Sequence, residues 1–232
     1  MMDLMVRLAE RTDAVAAGIA QLGSLCRSLE GGWELSDAPN TPEMAWAQDR
    51  LIQRWHDRIV APQIGERLAV AMMGHRLVGC ASVKPTEGEG RTITDVRRLE
   101  LEGVWIDPQF AIEIGVGAPA PNRQSFIPLW ERSEWGGGDL VQPEIETLDP
   151  LEPDAASVTL LPDSGVLSPK QIIEIARVRL LEYVLPGLAP AQTWVWREDG
   201  ESRDFYRDNG FTLDGMSRLE PELGVEMLRL VR

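Results

Sequence analysis

Apolar residues recur at helical spacing in three stretches of the chain, and they alternate or run together in the shorter segments between. A strand-like piece around Val6–Ala9 comes first. Thr12 or Asp13 can then cap a helix carrying Val15, Ile19, Leu22 and Cys26 on one face, ended by Gly31-Gly32. The second helix has Thr41 as cap and Pro42 at its first position, with Met44, Leu51, Trp55 and Ile59 facing inward. "RLAVAMM" and "RLVGCASV" follow, two apolar runs parted by Gly74-His75, which predict a β-hairpin. "RRLELEGVWI", "FAIEIGVGA" and "ASVTLLPD" read as further strands. In "SPKQIIEIARVRLLEYVLPGL", Ser168, Pro169 and Gln171 form a capping box, and Ile172, Ile175, Ala176, Leu180 and Val184 an inner face. "QTWVWRE" predicts a strand, "GESRDFYRDN" a short helix and the last stretch a pair of strands. Strand–helix–strand units near the C-terminus and hairpins elsewhere predict a mixed, mostly antiparallel sheet with helices on both faces, an α/β (α+β) fold.

Charge divides the chain. From Glu87 to Asp154 there are 15 acidic and 5 basic residues and seven prolines, in a chain of net charge −14. Residues 86–154 therefore read as an acidic, Pro/Gly-rich insertion within a single domain spanning 1–232, with Trp105, Trp130 and Trp135 forming a lid, a dimer surface or, equally, a hydrophobic cluster under the loop. The acidic balance argues against nucleic acid and favours a cationic partner. No apolar run is long enough to span a membrane, and the charged N-terminal stretch predicts a cytoplasmic protein. Cys26 and Cys80 read as buried free thiols, and with only His56 and His75 no metal centre is expected. His75 is expected exposed at its turn, and Tyr183 packed in its helix.

The segment "SRDFYRDNGF" carries the chemistry worth testing. A strand (Trp194-Val195-Trp196), Asp199, a short helix ending in Phe205-Tyr206, and a Gly210-Phe211 turn into closing strands together resemble the final segment of the GNAT superfamily of acyl-CoA-dependent N-acyltransferases. The opening strand, helix pair and hairpin resemble the N-terminal part of the same family. The resemblance covers about two thirds of the chain and implies the GNAT fold, with the insertion between the family's third and fourth strands and "ASVTLLPD" as the fourth.

For function the resemblance implies acetyl-CoA as co-substrate, no metal, and a small-molecule or peptide amine as acceptor; homodimerisation through the insertion is a further option. Tyr206 would protonate the leaving thiolate, or else only cap the core. The coenzyme would lie along Leu160 and Leu161, its diphosphate in "PDSGVLSPKQ" against Gly165, Val166, Leu167, Ser168 and Lys170, with Asp199 beside it. That loop keeps one glycine of the family's pattern, lacks the leading Arg, and has Asp163 and Pro169 where an anion site is least helped. "VWIDPQFAIEIGVG" imitates the family's strand and loop, but its prolines at 119 and 121 predict a strand and turn. Glu152, Asp154, Asp163, Glu198 and Asp199 are all candidates for a base. The alternative reading is a catalytically inactive binding or regulatory member that has lost or altered acyl-CoA binding.

Overall fold

A computed structural model describes residues 3–29, 42–86, 99–115, 156–158, 167–220 and 225–232. These fall in one compact unit formed by Met1–Ala118 and Ala155–Arg232. The elements in chain order are β1 (Leu4–Leu8), a 3₁₀ turn (Arg11–Asp13), α1 (Ala14–Leu29), α2 (Pro42–Val60), β2 (Arg67–Met73) and β3 (Arg76–Pro85). They continue with β4 (Leu99–Ile106), α3 (Pro108–Glu113), β5 (Ala156–Val158), α4 (Pro169–Val184), β6 (Ala191–Trp196), α5 (Gly200–Asp208), β7 (Thr212–Glu220) and β8 (Val225–Val231). They build one eight-stranded sheet in the order β5-β1-β2-β3-β4-β6-β8-β7. Every neighbouring pair is antiparallel except β4 and β6.

Two cores lie on opposite faces of this sheet. α1 and α2 cover one, where Ala14, Ala17, Ala20 and Trp55 meet Val70, Cys80 and Trp105. Val15 is 41% exposed, so the small alanines rather than the expected valine form the inner face of α1. Small residues let the two helices approach, and Trp55 Nε1 then donates to Gln21 Oε1 at 2.8 Å across them. α4 covers the other face with Ala176, Leu180 and Val184, packed with Val78, Val83 and Leu101. Tyr183 is half-buried against this core, His75 is exposed, and Cys80 is buried while Cys26 is only half-buried.

Two sequence expectations are corrected here. Leu99–Ile106, counted within the insertion, is the central strand between β3 and β6. "ASVTLLPD" contributes only Ala156–Val158, an edge strand antiparallel to β1. The interruption of the sheet therefore falls after β4, not between β3 and β4. The reason is that Leu101, Val104 and Trp105 are buried, and burial in the sheet outweighs the acidity of the surrounding sequence. The second correction concerns "FAIEIGVGA", which begins as helix α3 rather than a strand. Asp107 Oδ1 accepts the Gln109 N–H at 3.0 Å and Pro108 takes the first helical position, a start signal that the alternating apolar residues hid.

Candidate functional site

β4 and β6 are parallel neighbours for only three residues, Leu99–Leu101 against Ala191–Thr193. Beyond that register the pairing stops, while β4 continues along β3 to Ile106 and β6 along β8 to Trp196. The divergence begins at a bulge: Ser82 opposes Gly103 and Val83 opposes Leu101, so Glu102 is the extra residue on β4. Gly103 is required there, because a Cβ would come within 2.6 Å of the Trp105 indole. Trp105 itself is buried against Trp55, edge to face at 6.4 Å, and is not part of a lid.

The split frees backbone groups of β4 from any partner strand. One of them, the Val104 N–H, donates to the Tyr206 hydroxyl at 3.3 Å. Tyr206 reaches this point because α5 ends in a tight corner: Asn209 Nδ2 bonds the Phe205 carbonyl at 2.8 Å, and the Phe211 N–H returns to the Tyr206 carbonyl at 3.0 Å. Gly210, at φ +86°, supplies the left-handed residue that the turn needs. Phe205 and Phe211 hold the phenol ring edge to face at 5.2 and 5.6 Å. The corner thus both packs the core and delivers a hydroxyl to the split.

Burial pushes the Tyr206 pKa up to about 12, against the opposing influence of Arg177, the Val104 N–H and Thr193. Arg177 is buried on α4, stacks over the Phe205 ring at 4.1 Å and pairs with Glu201 at 2.7 Å. The Thr193 hydroxyl is fully buried and has no hydrogen bond of ordinary geometry, although it is near enough to influence the phenol. A phenol so placed stays protonated at neutral pH.

The mixed, mostly antiparallel sheet with helices on both faces is what the sequence resemblance implied; the parallel pair parted at a β4 bulge lies on a strand that the sequence pattern assigns to the insertion. No family model matches the chain, and no curated protein does. Among solved structures the chain is similar to the PaiA N-acetyltransferase of Thermoplasma acidophilum in complex with coenzyme A, at 11% identity, covering 97% of each chain with a TM-score of 0.46. It is similar to YncA of Salmonella typhimurium, a putative acetyltransferase with acetyl-CoA, at 12% identity, 99% and 92% coverage and a TM-score of 0.47. A third is the spermidine/spermine N-acetyltransferase SpeG of Vibrio cholerae in mutant form, at 14% identity, 99% and 93% coverage and a TM-score of 0.46.

α4 packs across β2, β3 and β4, and its capping shows what its N-terminal turn offers. The Gln171 N–H donates to Ser168 Oγ at 3.3 Å, and the Ser168 N–H to Gln171 Oε1 at 2.8 Å. The Ile172 N–H bonds the Ser168 carbonyl at 3.1 Å, and Pro169 has no N–H. Among the described residues, the Lys170 N–H is the one amide left in this first turn. Ser168 is therefore spent as a cap, and Leu167, half-buried, adds only apolar surface. Leu160, Leu161, Gly165 and Val166 lie outside the described residues, as do the candidate bases Glu152, Asp154 and Asp163. Asp199 caps α5, accepting the Ser202 N–H at 2.9 Å. The fit to acetyl-CoA is thus uneven. The split offers an acyl group an amide and a phenol, whereas this turn offers a diphosphate one amide and the Lys170 ammonium.

Sequence reasoning missed the Val104 N–H, Thr193, Arg177 and Glu102. Glu102 lies on the α2 face of β4, with its carboxylate 2.5 Å from Arg54, 2.6 Å from Arg58, 3.4 Å from Lys84 and 2.6 Å from Ser82 Oγ. Burial alone would raise its pKa; Arg58, Arg54, Ser82 and Lys84 together hold it below the usual carboxylate range. One signal for it was present, since a glycine interrupting an alternating strand marks a bulge.

Proposed function

We propose that the chain is an N-acetyltransferase, moving the acetyl group of acetyl-CoA to a primary amine. The observation that carries this is the convergence of a split-strand amide, Val104 N–H, with a buried, protonated phenol, Tyr206. In the reaction a C–N bond forms, the C–S bond breaks, and the proton lost by the amine ends on the thiol. The Val104 N–H is placed to hold the carbonyl oxygen as it gains charge, taking it in place of the Tyr206 hydroxyl. Tyr206 then donates a hydrogen bond to the sulfur. Full transfer from a phenol at about 12 to a thiolate with an ordinary thiol pKa near 8.5 is uphill, so the phenol acts first by hydrogen bonding. Lys170 is the described residue suited to a phosphate. The chain's net charge of −14 favours approach of an acceptor with a positive group.

A second reading, a catalytically inactive member that has lost or altered acyl-CoA binding, is favoured by one observation: the α4 first turn has a single uncommitted amide. Calorimetric titration of acetyl-CoA, with dephospho-CoA and desulfo-CoA as controls, separates the two when paired with Tyr206→Phe kinetics. The transferase reading expects saturable binding, turnover of an amine, and a kcat lower by about 10²-fold in Tyr206→Phe at similar KM. No turnover on any amine, with acetyl-CoA binding weak or absent, supports the second reading and overturns the first.

A further inference from the structure

Thr193 stands on the last rung that β6 shares with β4, between Leu101 of β4 and Leu230 of β8, and residues paired across strands share a face of the sheet. Leu101 and Leu230 belong to the core beneath α4, the same core that holds Tyr206. So do Ala191 and Val195, two residues either way along β6. The Thr193 side chain therefore points into an apolar layer. It is fully buried, and its Oγ1 has no hydrogen-bond partner among the described residues. Burying a hydroxyl without a partner is costly, and such groups are uncommon. The group it does reach is the Tyr206 phenol, on which Arg177 from α4 and Asp199 at the α5 cap also act.

A hydroxyl gives one hydrogen bond and also accepts, and a threonine hydroxyl turns to suit its surroundings. In this structure the phenol oxygen accepts the Val104 N–H at 3.3 Å. An acyl carbonyl that takes over that N–H would leave the phenol oxygen without its donor in a buried setting. Thr193 carries the hydroxyl that can replace it. We propose that Thr193 is a positioning residue for acyl transfer: its O–H donates to the Tyr206 oxygen while the carbonyl occupies the Val104 N–H, which leaves the phenol proton directed at the sulfur. A donor on the phenol oxygen also stabilises the charge that this oxygen gains as its proton is drawn away. The acyl step rests on the acyl-transfer reading; the pairing of the two hydroxyls does not.

The test labels the protein with 3-fluorotyrosine, whose phenol ionises in milder alkali. The chain has two tyrosines, so ¹⁹F spectra report Tyr183 and Tyr206 separately, with Tyr206→Phe assigning them. In Thr193→Val, which keeps the branched shape and removes the hydroxyl, the Tyr206 signal is expected to titrate about one pH unit higher than in wild type, because the phenolate has lost a donor. Thr193→Ser is expected to restore the wild-type titration, and Tyr183 to titrate alike in all three. Should Thr193→Val not fold, Thr193→Ala carries the same comparison. With acetyl-CoA and an amine, Thr193→Val is expected to lower kcat about tenfold at similar KM, and Thr193→Ser to recover it. In a Tyr206→Phe background Thr193→Val is expected to cost nothing further. The proposal is overturned if Tyr206 titrates alike in wild type and Thr193→Val, if Thr193→Ser restores neither readout, or if the loss in kcat is as large when residue 206 is Phe. Absence of turnover on every amine would overturn the acyl-transfer reading and leave the pairing of the hydroxyls to be decided by the titration.

Discussion

Replacing Tyr206 with Phe removes one oxygen and leaves the ring contacts with Phe205 and Phe211 in place. The Val104 N–H then loses its acceptor in a buried setting, which costs about 1–3 kcal/mol. Because the bond is long, at 3.3 Å, the lower end applies, about 1 kcal/mol at pH 7. A second effect appears in alkali. Burial raises the folded-state pKa from 10.0 to about 12, so the phenol's contribution is complete below pH 10 and is lost as pH rises through 12. Two pKa units correspond to about 3 kcal/mol, an order-of-magnitude figure. Wild type is therefore expected to be the more stable protein at pH 7 and to forfeit that lead between pH 10 and 12. Urea unfolding of both proteins across that range measures the difference directly, provided the slopes match. A Tyr206→Phe protein as stable as wild type at pH 7, with a parallel stability profile above pH 10, would refute the placement of the hydroxyl on Val104.

Two further outcomes follow from β4. Gly103→Ala sets a methyl 2.6 Å from the Trp105 indole; with Trp105 pinned by Trp55, the expected loss is about 1–3 kcal/mol, read from urea unfolding, and no loss would mean Trp105 is free to move. Glu102→Gln removes a carboxylate held ionised below its usual range by Arg58, Arg54 and Lys84. That stability is present above the unfolded value near 4.5 and lost as pH falls towards the folded one, so wild type should lose stability in acid more steeply than Glu102→Gln. Parallel acid profiles would contradict the network.

The corner at Tyr206 was legible in the sequence because local signals specify it: a cap at Asp199, a helix too short to bury more than Phe205 and Tyr206, and a glycine where the turn needs positive φ. The capping box of α4 was legible for the same reason. The place of β4 was not, because register and neighbour depend on partners distant in sequence. "LELEGVWI" reads equally well as a strand of an insertion or of the core, and the acidity of its surroundings favoured the wrong choice. Glu102 was hidden by the same ambiguity, since a charged residue in an alternating strand normally faces water. Only α2, over forty residues away, supplies the arginines that make its burial tolerable.

The central claim is that the β4–β6 split receives an acyl group on the Val104 N–H. Its most direct measurement is the amide resonance of Val104 in ¹⁵N-labelled protein during titration with acetyl-CoA, alongside free CoA. The account expects a saturable shift of Val104 with acetyl-CoA, smaller with CoA, as the carbonyl takes the place of the Tyr206 hydroxyl. A Val104 signal that stays fixed while acetyl-CoA binds elsewhere, or that moves equally with CoA, would contradict it.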